Sequence, residues 1–209
     1  MLTFDSAMNY SERATSKSQM TADREIARIA LATPDDAQAL AAMHVASWHE
    51  TYSGLLPDKI LAALSVQSQA AAWSKIPLEP ATANSSVVYL AEHQETIIGF
   101  GSCGAQRTES LKDNGYDGEV SGIYVLREFQ KRKIGTHLFR TMSTDLISRG
   151  FKAAALWVLR ENLRARRFYE HHAGKVIAER EDIRDSTVLT ELAYGWPDLE
   201  ELDRRLASE

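Results

Sequence analysis

The segment from Glu119 to Leu138, EVSGIYVLREFQKRKIGTHL, constrains this chain more than any other. A short apolar stretch of strand type runs into a basic turn containing Gly135. Apolar residues then recur about one helical turn apart at Ile134, Leu138, Met142 and Leu146. A strand, a turn of open backbone amides and a helix N-terminus in succession need a sheet to pack against. They also form a cradle suited to a phosphate-bearing ligand. The side chains of Gln130, Lys131, Arg132 and Lys133 would line it, and Gly135 would let the backbone approach closely. Taken alone, the same residues also fit a solvated basic turn before an ordinary helix.

The flanking sequence supplies the rest of the layers. Residues 1–23 are polar, rich in Ser and Thr and without a period, and are expected to be a disordered leader with Met20 as an alternative start. A first strand is expected within Arg24 to Ala32. Thr33-Pro34-Asp35-Asp36 reads as a helix start, with a cap, a proline at the first helical position and two acids at the positive end of the dipole. Ala37, Leu40, Ala41, His44 and Trp48 then share a face, and further helices are expected from Pro57 to Leu64 and from Val66 to Lys75. From Ser85 the period changes. Val87 to Ala91 and Thr96 to Gly104 read as a hairpin, and Gln106 to Gly118 as a loop. After the opening strand and helix come a strand at Ala153 to Leu159, a helix at Asn162 to His172, strands at Lys175 to Glu179 and Thr187 to Tyr194, and a charged helix or tail over 197–209. The order β-α-α-α-β-β-β-α-β-α-β-β describes one mixed α/β domain over residues 24–196, with no internal repeat or linker.

Composition narrows the function classes. The formal net charge of −5 argues against nucleic acid as a partner. The single cysteine, Cys103, excludes an intrachain disulfide and a thiolate zinc cluster, and is expected to be a small buried strand residue. His171-His172 lacks a third ligand nearby, so no metal is expected. No run reaches the ~18 apolar residues of a membrane span, and the N-terminus has no apolar signal core. The expectation is a cytoplasmic protein that does not engage a membrane.

A second segment changes the reading of the first. Leu156-Trp157-Val158-Leu159-Arg160-Glu161-Asn162 leads into Ala165-Arg166-Arg167-Phe168-Tyr169-Glu170 and then Gly174. Together the two segments resemble the GNAT superfamily of acyl-CoA-dependent N-acetyltransferases. Its members carry a strand, a Gln/Arg-x-x-Gly-x-Gly/Ala loop and a helix, followed by a strand and an Asn-x-x-Ala-x-x-Phe-Tyr helix. Gln130 to Gly135 is similar to the first motif and Asn162 to Tyr169 to the second. The resemblance covers roughly Arg28 to Tyr194. It departs from the pattern at Lys133, where the family usually has glycine.

The resemblance implies a central mixed, mostly antiparallel sheet with splayed parallel central strands and helices on both faces. It implies acetyl-CoA as co-substrate, lying where the Val120–Leu126 and Ala153–Leu159 strands part. Backbone groups around Tyr124 and Val125 would align the pantetheine arm and polarise the thioester. Amides of Gln130, Lys131, Arg132, Lys133, Ile134, Gly135 and Thr136 would hold the pyrophosphate, and Asn162 would contact the cofactor while also capping its helix. Tyr169 would be the acid for the leaving thiolate and Glu119, directly or through water, the base. Strict alternation puts Glu119 and Tyr124 on opposite faces, so both reach the site only if the strand bulges, which Gly122 permits. Trp48 and Tyr52 belong to the segment that walls the acceptor site in relatives. The expected reaction is direct transfer of acetyl to a primary amine in a ternary complex. Small-molecule amines, protein N-termini and lysines all stay open as acceptors, as does a homodimer. A non-catalytic acyl-CoA-binding sensor of the same fold is the alternative, and Lys133 favours it.

Overall fold

The computed structural model describes residues 27–75, 85–184 and 187–208. The expected leader, and the expected first strand before Ala27, lie outside them. Strand β1 (Arg28–Leu31) leads through a 3-10 turn (Pro34–Asp36) into helix α1 (Ala37–Tyr52). The Asp36 carboxylate accepts from the Thr33 N–H (2.8 Å) and hydroxyl (2.9 Å), which fixes the entry to that helix. Helices α2 (Asp58–Ala62) and α3 (Val66–Trp73) follow, the latter capped by the Ser65 hydroxyl, which accepts from the Ser68 N–H at 3.1 Å. Strands β2 (Val87–His93) and β3 (Thr96–Ala105) form a hairpin whose turn residues Gln94 and Glu95 both take left-handed φ (48° and 62°), as a two-residue primed turn requires.

The expected loop from Gln106 to Gly118 contains a short helix, α4 (Glu109–Asp113), held by the buried Leu111. Then come β4 (Gly118–Val125), α5 (Ile134–Ser148), β5 (Ala154–Leu159), α6 (Leu163–His171), β6 (Lys175–Arg184), β7 (Thr187–Trp196) and α7 (Leu199–Ala207). Strand β6 runs five residues beyond its expected end at Glu179. The charged C-terminal segment is a helix folded into the main core: Leu199, Leu202 and Leu206 are buried with Phe139, Met142 and Leu146 of α5.

The strands form one seven-stranded sheet in the order β1-β2-β3-β4-β5-β7-β6. Every neighbouring pair is antiparallel except β4 and β5. One face carries α5, α6 and α7 over Val120, Cys103, Leu156, Val158, Leu192 and Tyr194. On the other, α1 and α3 cover Val88, Leu90 and Phe100, while Leu61 of α2, with Leu56 just before that helix, packs on Leu159 and Leu189. Each such fully buried leucine contributes roughly 1.5–3 kcal/mol.

Two irregularities shape the centre. Strands β4 and β5 are paired only at Gly118↔Ala154 and Glu119↔Ala155, and beyond that neck they part. In the β3–β4 ladder, Ser102 faces Gly122 while Cys103 faces Val120, so Ser121 is the extra residue of a bulge. The bulge resets the alternation and puts Glu119 and Tyr124 on the same face, towards α1.

Candidate active site

The gap between β4 and β5 is a row of backbone groups with no strand opposite. The Leu126 N–H donates to the Ile98 carbonyl (2.9 Å), and an antiparallel ladder alternates from such a pair. Tyr124 therefore exchanges its backbone bonds with Phe100, and the amides that face the gap are those of Ile123 and Val125. The Val125 carbonyl is taken by the Gln130 side-chain amide (2.8 Å). The Val125 N–H and both backbone groups of Ile123 are left to meet an extended ligand laid along β4, as an added strand would. Ile123 was not among the candidates from sequence. Its register depends on where the strand bulges: Gly122 permits a bulge, but only the pairing with β3 fixes it at Ser121.

At the end of β4 the chain turns through two left-handed residues, Lys131 and Lys133, both at φ 62°. Alternation of this kind points successive N–H groups to one side and makes an anion nest. The first intrahelical bond of α5 runs from the His137 N–H to the Lys133 carbonyl (2.9 Å), so the amides of Ile134, Gly135 and Thr136 precede it at the positive end of the dipole. The conformation of Lys133 explains why a glycine suits this position: a left-handed backbone costs an L-residue about 1–2 kcal/mol. The side chains of Lys131, Arg132 and Lys133 are exposed at the rim.

Gln130 plays a different part from the one expected. Its N–H donates to the Arg127 carbonyl (3.3 Å), its side-chain N–H to Val125, and its Oε1 accepts from Arg164 of α6 (2.8 Å). These bonds brace the turn against β4 and α6, so the left-handed stretch that follows starts at Lys131.

Helix α6 approaches from the other face. Asn162 caps it, accepting from the Ala165 N–H at 3.1 Å. Tyr169 is 5% exposed, among Phe139, Tyr194 and Trp196. Burial, with a smaller effect from the Tyr124 phenol, pushes its pKa well above the usual 10. Its hydroxyl has no hydrogen-bond partner among the described residues. It is a neutral phenol with a proton to give. Across the gap the Tyr52 and Tyr124 hydroxyls lie 3.3 Å apart, and Trp48 packs on Tyr52 (4.9 Å). Phe168 is a packing residue against Phe139 and His172.

The bulge brings Glu119 to the Tyr124 face, but the carboxylate is fully engaged at the closed neck. Oε2 accepts from the Arg107 backbone N–H (2.9 Å), the Arg107 Nε reaches both oxygens at 3.1 Å, and Oε1 also takes the Arg107 Nη2 and the Ser121 hydroxyl (3.2 Å). Glu119 thus pins the β3–α4 connection to β4 and has no lone pair left over for an incoming group. Among the described residues no group of three or more His, Cys, Asp and Glu side chains could hold a metal. His172 is buried with its Nε2 3.3 Å from the Thr136 hydroxyl. No described helix is long and apolar enough to cross a membrane.

A mixed sheet opened between its two central parallel strands, with backbone donors in the gap and an anion cradle at its mouth, is the architecture of an acyl-CoA-dependent acyltransferase. Residues 46–174 match the model of the acetyltransferase (GNAT) family. The chain belongs to that family and is an acetyl-CoA-dependent N-acetyltransferase. It is 30% identical over 169 residues to the uncharacterized N-acetyltransferase YuaI of Bacillus subtilis (strain 168), an overlap of 80% of this chain and 91% of YuaI. Its fold is similar to that of the PaiA N-acetyltransferase of Thermoplasma acidophilum, solved in complex with coenzyme A (TM-score 0.59, 18% identity, 81% of this chain and 98% of that one). It is similar also to YncA of Salmonella typhimurium, solved with acetyl-CoA (TM-score 0.61, 15% identity, 83% and 94%). These neighbours bear out the expected mixed sheet with helices on both faces.

Proposed function

We propose that this chain transfers the acetyl group of acetyl-CoA to a primary amine by direct attack in a ternary complex. The observation that carries this reading is the continuity of the Ile123 and Val125 amides in the gap with the nest and helix N-terminus at Lys131 to Thr136. The two sets suit the extended pantetheine arm and the pyrophosphate of one ligand. The complexes of PaiA with coenzyme A and of YncA with acetyl-CoA support it.

In this reading Ile123 donates its N–H to the thioester carbonyl, where negative charge builds as the amine attacks. The amides from Lys131 to Thr136 hold the pyrophosphate, with Asn162 fixing the start of α6 beside them. Tyr169, held neutral by burial, gives its proton to the departing thiolate. The amine enters from the α1 side, past Trp48, Tyr52 and Tyr124. The open acceptor classes are small-molecule amines, protein N-termini and lysines. The sensor alternative loses its motive in the turn itself, because Lys133 keeps the left-handed backbone the nest needs. Thioester cleavage across an amine panel tests the proposal. Amine-dependent release of free thiol is expected, whereas acetyl-CoA binding without turnover on any amine would overturn it in favour of a sensor.

A further inference from the structure

With Glu119 spent at the neck, a second buried carboxylate becomes the better placed one. We propose that Glu191 of β7 receives the proton that the acceptor amine loses, directly or through one water. This rests on the acetyl-transfer reading and adds to it the proton acceptor on the amine side.

The register places Glu191 at the level of the reaction. It is paired with Leu159 of β5, four residues on from Ala155, which is the partner of Glu119 at the neck. Ile123 is four residues on from Glu119 along β4, but one of them is the extra residue of the bulge, so on the β3 ladder Ile123 is three steps on and Val125 five. Glu191, four steps on, is therefore level with the stretch between the two gap-facing amides, while Glu119 sits roughly 13 Å back along the strands at ~3.3 Å per residue. The face is also right. Glu191 lies two residues from Leu189, which packs with Leu159, Leu56 and Leu61 and with Trp48 and Tyr52 of the amine-side wall.

Its bonding leaves room for a proton. Glu191 is 6% exposed. Oε2 accepts from Arg180 (2.8 Å from Nε), whereas Oε1 has one long contact, 3.4 Å from the Arg184 Nη2. The charged and titratable groups around it are Arg180 and Arg184 of β6, with Asp182 behind Arg184 and the Tyr124 phenol of β4 within electrostatic range. Arg184 is itself held by Asp182 at 2.6 Å, so the two cations are matched by two acids. The charges of Arg184 and Glu191 both act on the Tyr124 phenol, which puts the network within electrostatic reach of the gap.

The step balances. The nitrogen lone pair of the neutral amine forms the bond to the acetyl carbon, and the carbon–sulfur bond breaks as its electron pair leaves on sulfur. The nitrogen gives one proton to Glu191 Oε1, and the sulfur takes one from Tyr169. Glu191 then loses its proton to solvent while Tyr169 regains one, so the products are the amide and free coenzyme A.

The test compares wild type, Glu191→Gln, Glu191→Ala and Glu119→Gln, as full chains, by kcat/KM with acetyl-CoA and 2-phenylethylamine, n-butylamine and lysine-containing peptides as probes. Glu191→Gln should lose about 100-fold or more in kcat/KM, with acetyl-CoA affinity by calorimetry unchanged. Formate should restore part of the rate in Glu191→Ala. Glu119→Gln should lose far less than Glu191→Gln. If Glu191→Gln does not fold, Glu191→Asp should turn over at a reduced rate that formate does not raise. A wild-type kcat/KM in Glu191→Gln, a larger loss in a folded Glu119→Gln, or a folded Glu191→Ala that formate does not rescue would overturn the assignment while leaving acetyl transfer intact. A wild type that binds acetyl-CoA but acetylates none of the probes would sink the transfer reading, and this inference with it.

Discussion

Gly135 and Phe168 are in contact: a Cβ built on the glycine would lie 3.3 Å from the phenylalanine ring. The first turn of α5 and the middle of α6, which carry the two sequence motifs, meet at this point. The absence of a side chain at Gly135 thus serves the seating of one helix on the other. A β-branched residue there must displace either Phe168, packed against Phe139 and His172, or the turn itself. Gly135→Val should weaken coenzyme A binding by about tenfold, equivalent to about 1.4 kcal/mol, in calorimetry. Unchanged affinity would place the pyrophosphate away from this turn.

Lys133 separates backbone from side chain. Its φ of 62° is held at a cost of about 1 kcal/mol that glycine would not bear. Lys133→Gly should therefore raise the melting temperature by about 2–4 °C. Removing a cation from the rim of the nest should at the same time lower coenzyme A affinity, most visibly at low salt. A melting temperature that falls would mean that other interactions of the lysine outweigh the strain.

His44 supplies a pH dependence remote from catalysis. Its ring lies 5.1–5.7 Å from those of Phe100, Trp73, Trp48 and Tyr124. Burial, partly offset by a bond from Gln69, lowers its pKa from 6.5 to about 4. The unfolded chain thus takes up the proton first as pH falls. The stability tied to neutral His44 is complete above pH 6.5 and is lost progressively down to pH 4, about 3 kcal/mol in all. Urea unfolding at pH 7 and pH 4.5 should show a smaller difference for His44→Phe than for wild type. Equal differences would remove His44 as the source.

What could be read in the sequence, and what could not, divides along the range of the interactions. Helix α5 and the α6 cap are local codes: apolar spacing at Ile134, Leu138, Met142 and Leu146, and an Asn before a helix. Both are where the sequence puts them. The gap-facing role of Ile123 depends on Ser121 bulging against Ser102 and Cys103, a pairing between distant segments. The capture of Glu119 by Arg107, twelve residues earlier, arises from the same long-range register. The sequence pattern ends β6 at Glu179 because Arg180 to Arg184 is a charged stretch of an edge strand with little apolar alternation. The short helix at Glu109 to Asp113 is one turn anchored by Leu111 alone, too little to register as a period.

In the proposed reaction Tyr169 is the acid for the departing thiolate. Its hydroxyl is unbonded among the described residues, its proton is held by burial, and its ring is fixed by Phe139, Tyr194 and Trp196. Removing the oxygen alone leaves those ring contacts in place, so Tyr169→Phe should fold with little change in stability or in acetyl-CoA affinity. Without a donor the thiolate must leave unprotonated, and turnover should fall by about 100-fold. The loss should appear in kcat and kcat/KM alike, because the bond to sulfur forms only as the thioester breaks. A donor acting on the leaving group should also matter less for a more acidic thiol. A thioester of such a thiol should therefore narrow the gap between Tyr169→Phe and wild type. A gap that stays constant across thiols would assign the tyrosine to positioning and leave the proton to water.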